Sequence, residues 1–336
     1  ALTWATLIVA AVLAVWSLYL RSLRNKKPAR RKALAEFWRP ALLDVLMQSV
    51  SPESLWALVR NGEELVMVNF LLQHCRRLSG KDRDRIQLLA SPYLPRVVAQ
   101  LQHSSPERRA RAIQTLGELG LDKWSDEVVG GLEDPSPFVA MVAASTLARE
   151  QSASHVDAVL ENLSRFVHWQ HDFLASMLAS FGPEAASSIR SKLGAPDTSP
   201  RMKAVIMDAL AHLNDADAAD AAYRILEEGA EPDLESACLR LLARVGTGAH
   251  LEAVCARLDS KSYPVRLTAA RALGRIGGRS ERPRLREIVL SDSSPWVAIN
   301  AGRALLEAGG RSALRELAGS RHRRSLVARQ ILAEAR

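Results

Sequence analysis

Between Pro106 and Gly309, small and aliphatic side chains recur at helical spacing, stop, and begin again, seven times over. Each stretch opens on a turn residue, Pro106, Pro137, His168, Pro200, Pro232, Pro264 or Pro295, at intervals of 31 or 32 residues. Six residues on stand Ala112, Ala143, Leu174, Ile206, Cys238, Ala270 and Ala301. Ten residues on stand Leu116, Leu147, Leu178, Leu210, Leu242, Gly274 and Leu305. These offsets fall on one face of a helix, so each stretch reads as an amphipathic helix with a single buried stripe. Fourteen residues after each opening come Gly120, Gln151, Gly182, Asn214, Gly246, Gly278 and Gly309. A closing Gly or Asn there is expected to take the left-handed conformation that ends a helix. In the sixth stretch Leu273 comes one residue early and Gly277 precedes Gly278, a local slip of one.

Shorter apolar-periodic segments fill the gaps, over 155–163, 184–193, 250–258 and 282–290, each closing on a leucine. Every unit is therefore a pair of helices. No stretch alternates with period two, so strands are not expected. A supersecondary unit repeated at this period cannot bury its apolar face alone and stacks on its neighbours. The predicted fold is all-α: a right-handed α-solenoid of stacked helical hairpins plus one N-terminal transmembrane helix. The expected divisions are a transmembrane helix over 1–20, a basic linker over 21–36, atypical capping helices over 37–100, repeats over 101–310 and C-terminal capping helices over 311–336.

The runs from Pro264 to Leu273 and from Pro106 to Gly120 resemble HEAT repeats, and at 31–32 residues they are most similar to the short HEAT-like repeats of phycobilin lyases. The resemblance covers roughly residues 90–336 and implies architecture more than activity, because such repeats serve unrelated functions. A bilin-lyase-like activity is implied by it, yet no residue pattern here supports that chemistry. The ankyrin Thr-Pro-Leu-His signature and the tetratricopeptide Trp/Gly/Tyr pattern are absent. So are the recurring His-Glu pairs of HEAT-like metal-dependent hydroxylases.

The N-terminus departs from this pattern. Residues 1–20 carry no charged side chain, a length and polarity that match one bilayer crossing. Trp4, Trp16 and Tyr19 stand where interfacial anchors would. Arg21, Arg24, Lys26, Lys27, Arg30, Arg31 and Lys32 follow. Such a cluster favours an inner-membrane, single-pass topology with the N-terminus out and the C-terminal domain cytoplasmic. The same cations are candidates for contact with anionic lipid headgroups. Thr3, Thr6, Ala10, Ala14 and Ser17 share one narrow helical face, which suits packing against a partner's membrane helix.

Charge is distributed unevenly. The chain's formal net charge of +8 comprises +7 over residues 21–40, −8 over 41–249 and +9 over 250–336. The acidic extreme runs from Asp208 to Glu235, interrupted only by Arg224. The basic end, including Arg266, Arg271, Arg275 and Arg279, is expected to meet an acidic protein surface or anionic lipid. Nucleic acid is disfavoured, since no aromatics suited to base stacking are interleaved.

Candidate chemistry is sparse. Cys75, Cys238 and Cys255 lack metal-type spacing, and Cys238 occupies a core position. There is no phosphate loop, no His-Glu-x-x-His, no Gly-x-Ser-x-Gly and no Cys-x-x-Cys. In the third unit His168 replaces the proline, and a helix starting there would align His168, His171 and Asp172. That is a weak metal motif, and polar helix-start residues explain it more simply. Trp169, with Phe138 and Trp296 at the equivalent positions, predicts an aromatic ridge along three helix starts. No catalytic residue, cofactor, metal or small-molecule substrate is indicated. The expected function is a non-enzymatic scaffold or accessory subunit that binds a protein in a membrane complex, such as a synthase, glycosyltransferase or transporter. An unrecognised or bilin-lyase-like enzyme and a nucleic-acid-binding module stay open as alternatives.

Overall fold

A computed structural model describes residues 28–151 and 153–335. The chain forms two compact units, one ending at Val128 and one beginning at Val129. Among the described residues every regular element is helical.

The first unit contains α1 over 28–46, α2 (Pro52–Trp56), α3 (Glu64–Cys75), α4 (Lys81–Ala90), α5 (Leu94–Val98) and most of α6 (Pro106–Gly130). Its core gathers Trp38, Met67, Leu71, Ile86 and Leu89, with the Trp38 and Phe70 ring centroids 5.9 Å apart. A buried carboxylate ties two of these helices together. Glu118 on α6 accepts from Arg76 Nε at 2.7 Å and Nη2 at 2.9 Å. Helix α6 breaks at Gly120 and Trp124. At Gly120 the backbone is extended rather than left-handed, and a Cβ there would stand 2.5 Å from Leu94 Cδ1. The position needs a missing side chain, not a special φ.

The second unit is the regular array. The helices opening on the turn residues are α7 (Pro137–Arg149), α9 (His171–Ala179), α11 (Pro200–Leu213), α13 (Pro232–Val245), α15 (Tyr263–Ile276) and α17 (Pro295–Glu307), each packed on the next. Against this row lie α8 (Val156–Glu161), α10 (Ala186–Ser191), α12 (Ala219–Glu228), α14 (Leu251–Ala256), α16 (Arg282–Ser291) and α18 (Arg311–Gly319), and α19 (Ser325–Glu334) packs on α17 and α18. The predicted stripe is buried throughout, from Ala143 and Leu147 to Ala301 and Leu305. Packing is closest between α15 and α17, where a Cβ on Gly274 would lie 2.5 Å from that of Ala304.

Three of the turns into these helices, those before α7, α15 and α17, are closed by side chains on backbone groups. Asp134 accepts from the N–H of Ser136 at 2.8 Å, and Asp292 accepts from that of Ser294 at 2.7 Å. An arginine then caps the turn's carbonyls: Arg165 donates to Leu132 O and Asp134 O, and Arg266 donates to Ser260 O. Such side chains satisfy backbone groups that a short turn leaves without partners.

Helix stops follow two mechanisms. Gln151, Gly182, Asn214 and Gly309 take positive φ, as predicted. Gly246 and Gly277 instead have extended backbone and donate to the carbonyls of Leu242 and Leu273 at 2.7 and 2.9 Å. A Cβ at either would collide with that same carbonyl. The sixth unit therefore runs from Tyr263 to Gly277, so its whole frame is displaced by one residue.

Two expectations require correction. The helix over 28–46 is already under way inside the stretch assigned to a linker. Placement in a membrane is overturned, since no helix among the described residues is long and apolar enough to cross one. The physical reason is visible in α6, the longest at 25 residues, which is kinked twice and carries Arg108, Arg109, Arg111 and Glu118. The stretch on which that expectation rested, residues 1–20, lies outside the described residues, and with it Thr3, Thr6, Ala10, Ala14 and Ser17. Arg21, Arg24, Lys26 and Lys27 also fall outside. Of the other basic residues, Arg31 and Lys32 are exposed, while Arg30 reaches the buried carboxylate of Glu63 at 3.2 Å.

Candidate protein-binding face

The row α7, α9, α11, α13, α15, α17 presents its helix starts to solvent, and α9, α13, α15 and α17 also expose side chains along one stripe, whereas α11 is buried from Ala204 to Ala211. Proline at the first turn fixes where each helix begins, which places the next residue at its rim. Phe138 and Trp296 occupy that rim position and are 48% and 65% exposed. Tyr263, the first residue of the displaced sixth helix, is 52% exposed. The ridge predicted from three aromatics therefore gains a fourth position, concealed in the sequence by the one-residue shift.

The third unit is built differently. Without proline at 168, α9 begins at His171, and His168 and Trp169 lie in the preceding turn. Trp169 is half-buried, stacked on Phe173 with centroids 5.9 Å apart, and its carbonyl accepts from Arg201 Nη2 at 3.1 Å. The weak metal motif does not assemble, because His168 is off the helix and His171 turns away to Asp208. Among the described residues no three His, Cys, Asp or Glu side chains are grouped to hold an ion.

Asp208 is the electrostatic centre of this face. Its buried carboxylate on α11 meets His171 Nε2 of α9 at 2.6 Å, and Arg240 Nε and Nη2 of α13 at 2.7 and 2.6 Å. One side chain thus joins three successive helices. Burial pushes its pKa up, but hydrogen bonds from Arg240 and His171 outweigh burial and hold it below the ordinary carboxylate range. An ionised carboxylate only accepts, so His171 Nε2 carries a proton. Nearby Cys238 is inert: burial pushes its thiol up to about 12, and the Asp208 and Glu235 carboxylates add to that.

Beside this network runs a groove of about 530 Å³, lined by His171, Arg201, Asp233, Ser236, Arg240 and Thr268. Ser236 is 6% exposed, and its Oγ has no hydrogen-bond partner among the described residues. A buried hydroxyl without a partner is uncommon, and Ser236 is one of the residues that line the groove.

The basic residues predicted as one patch are separated by the fold. Arg266 is engaged internally, its Nε and Nη2 reaching Asp292 at 2.8 and 3.1 Å. Arg271 and Arg275 are exposed on α15, the latter 3.9 Å from Glu307. Arg279 sits in the turn before α16, beside a different cavity. The displaced frame shows what sequence reading missed: Arg240, Arg271 and Arg303 are equivalent, as are Arg244 and Arg275, and all five are exposed. Offsets of eight and twelve residues from Pro232 and Pro295 find Arg240, Arg244 and Arg303, whereas Arg271 and Arg275 fall at those offsets only when the sixth unit is counted from Tyr263.

An array of paired helices with one exposed, aromatic-rimmed stripe defines a helical-repeat scaffold. HEAT repeats match residues 94–167, 220–306 and 251–335, more than half of the chain, which belongs to the HEAT-repeat family. Repeat proteins of this kind bind protein partners. No curated protein matches the chain. Among solved structures it is similar to an engineered protein at 17% identity, covering 71% of this chain and 77% of that one, with a TM-score of 0.38. It is similar also to the complex of CpcE and CpcF of phycocyanin lyase from Nostoc sp. PCC7120, at 16% identity, covering 85% and 94%, with a TM-score of 0.29. Human deoxyhypusine hydroxylase in complex with glycerol is a third, at 16% identity, covering 73% and 96%, with a TM-score of 0.31. Likeness this distant leaves activity open.

Proposed function

We propose that the chain is a non-catalytic scaffold or accessory subunit that holds a protein partner along the α7–α17 face. The observation that carries this is the set of exposed rings at the starts of α7, α15 and α17, Phe138, Tyr263 and Trp296, with Phe173 exposed on α9 beside the half-buried Trp169. Large exposed rings in register on a rigid array suit hot-spot contacts, because they bury area at little conformational cost. The exposed arginines of α13, α15 and α17 add charge, so the partner's matching surface is acidic. The arrangement is multivalent: each repeat contributes a weak contact, and their sum sets affinity.

The test is affinity purification of the full chain with quantitative mass spectrometry, run beside the Phe138→Ala/Trp296→Ala double variant and beside Arg271→Glu/Arg275→Glu. A stoichiometric partner should be retained by the native chain and depleted about tenfold or more from both variants. Equal recovery by all three would refute this face as the docking surface.

A further inference from the structure

On the opposite helices of the same unit, a cavity of about 600 Å³ lies along α16 and α18. Its walls alternate chemistry. Arg279, Arg282 and Arg286 line it at helical spacing from the turn into α16, and Pro283, Leu290 and Ala313 supply apolar surface. The guanidiniums of α16 are held from behind. Arg282 Nε donates to Ala308 O at 2.6 Å, and Arg286 Nη2 donates to Glu316 at 2.8 Å. Each is thereby fixed by one nitrogen while its side chain lines the cavity.

Two further observations point to an anion. The one acidic residue lining the cavity, Glu287, is engaged by Arg284 at 2.8 Å. The Nε of Arg286 is buried and has no acceptor among the described residues. A charged N–H lacking an acceptor leaves the Arg286 guanidinium with hydrogen-bonding capacity that the protein does not fill, and a small shift of this part-exposed side chain would let an oxygen anion fill it. The N-terminus of α16 adds its positive end close by.

We infer that this cavity binds an acidic amphiphile, a carboxylate or phosphate monoester carrying a short aliphatic tail. The anion lies between the Arg279, Arg282 and Arg286 side chains. The tail runs over Pro283, Leu290 and Ala313. A small inorganic anion would satisfy the arginines without the apolar wall, and a neutral alcohol would do the reverse, so joint recognition distinguishes the site. It is independent of the partner-binding face, and either can fail alone.

The experiment is calorimetric titration of the full chain with octanoate, octyl phosphate, octanol and acetate, all below micelle-forming concentration. Octanoate and octyl phosphate should bind in the micromolar range, with acetate and octanol each about tenfold weaker or undetectable. Comparing the two anions separates carboxylate from phosphate as the preferred head. Arg286→Gln should weaken binding of the octyl anions about tenfold, and Leu290→Asn should abolish the advantage over acetate. Should Arg286→Gln unfold the chain, the exposed Arg279→Gln provides the same comparison. No binding of either octyl anion at millimolar concentration, or binding unchanged in the folded arginine variants, overturns the assignment.

Discussion

Two stretches of the second unit are rich in arginine and acid, and they use them in opposite ways. At α9, α11 and α13 a single carboxylate, Asp208, accepts hydrogen bonds from His171 and Arg240 of the neighbouring helices. It leaves beside itself a groove with a buried hydroxyl lacking a partner. At α15 to α19 the cations are distributed one to a partner. Arg266 closes on Asp292, Arg303 on Glu334 and Arg286 on Glu316. Others cap carbonyls, as Arg324 does at Asp292 O and Arg329 at Ala318 O. The contrast teaches that net charge along the sequence is not surface charge. The basic end is in large part a set of staples between repeats: even on the outward rows Arg303 meets Glu334 and Arg275 lies 3.9 Å from Glu307, beside the exposed Arg271.

Breaking the staple should have the largest effect. Asp292→Ala removes both bonds to Arg266 and the cap on Ser294, and should cost about 3 kcal/mol by chemical denaturation. A loss under about 1 kcal/mol would assign the stability of this end to apolar packing alone. Asp208→Asn should cost less, about 2 kcal/mol, because Arg240 is half-exposed and water replaces part of the pairing.

The pH profile sharpens the same comparison. Asp208 and Asp292 are both held below the ordinary carboxylate range; burial raises each, and hydrogen bonds from arginine more than offset it. A depressed pKa in the folded state means their stabilisation is complete above the unfolded value, about 4, and is lost as pH falls through the folded value. Acid titration of stability should therefore fall more steeply below about pH 4 in the native chain than in Asp208→Asn. Parallel profiles would show that Asp208 is not ionised in the fold. The smallest effect is expected at the rim, where Trp296→Ala should change stability by less than about 0.5 kcal/mol while weakening partner capture. A large loss of stability there would reveal a packing role for the ring.

The repeat was legible because its causes are local. Proline at a helix start, a small residue six positions on and leucine at ten each express a preference of the chain over one or two turns. Ala143, Leu147, Ile206 and Leu210 are buried as that spacing required. Stops were half legible: Asn214 and Gly309 end helices through positive φ, but Gly246 and Gly277 are needed for close approach to a carbonyl. That is a matter of contact. The start of α9 was misplaced because the spacing of His168, His171 and Asp172 is helical whether or not a helix forms there. Of the aromatics expected along the helix starts, Phe138 and Trp296 are exposed there and Trp169 is half-buried in a turn, while the exposed Tyr263 was not among them.

Length, period, apolar stripe and turn residues, all short-range properties, were enough to determine a helical repeat. Which guanidinium meets which carboxylate was decided only by tertiary structure. Asp208 and Arg240 are 32 residues apart in the chain and 2.6 Å apart in space. An ion pair depends on the stacking of one repeat on the next, and no spacing along the chain encodes the angle at which two helices come together.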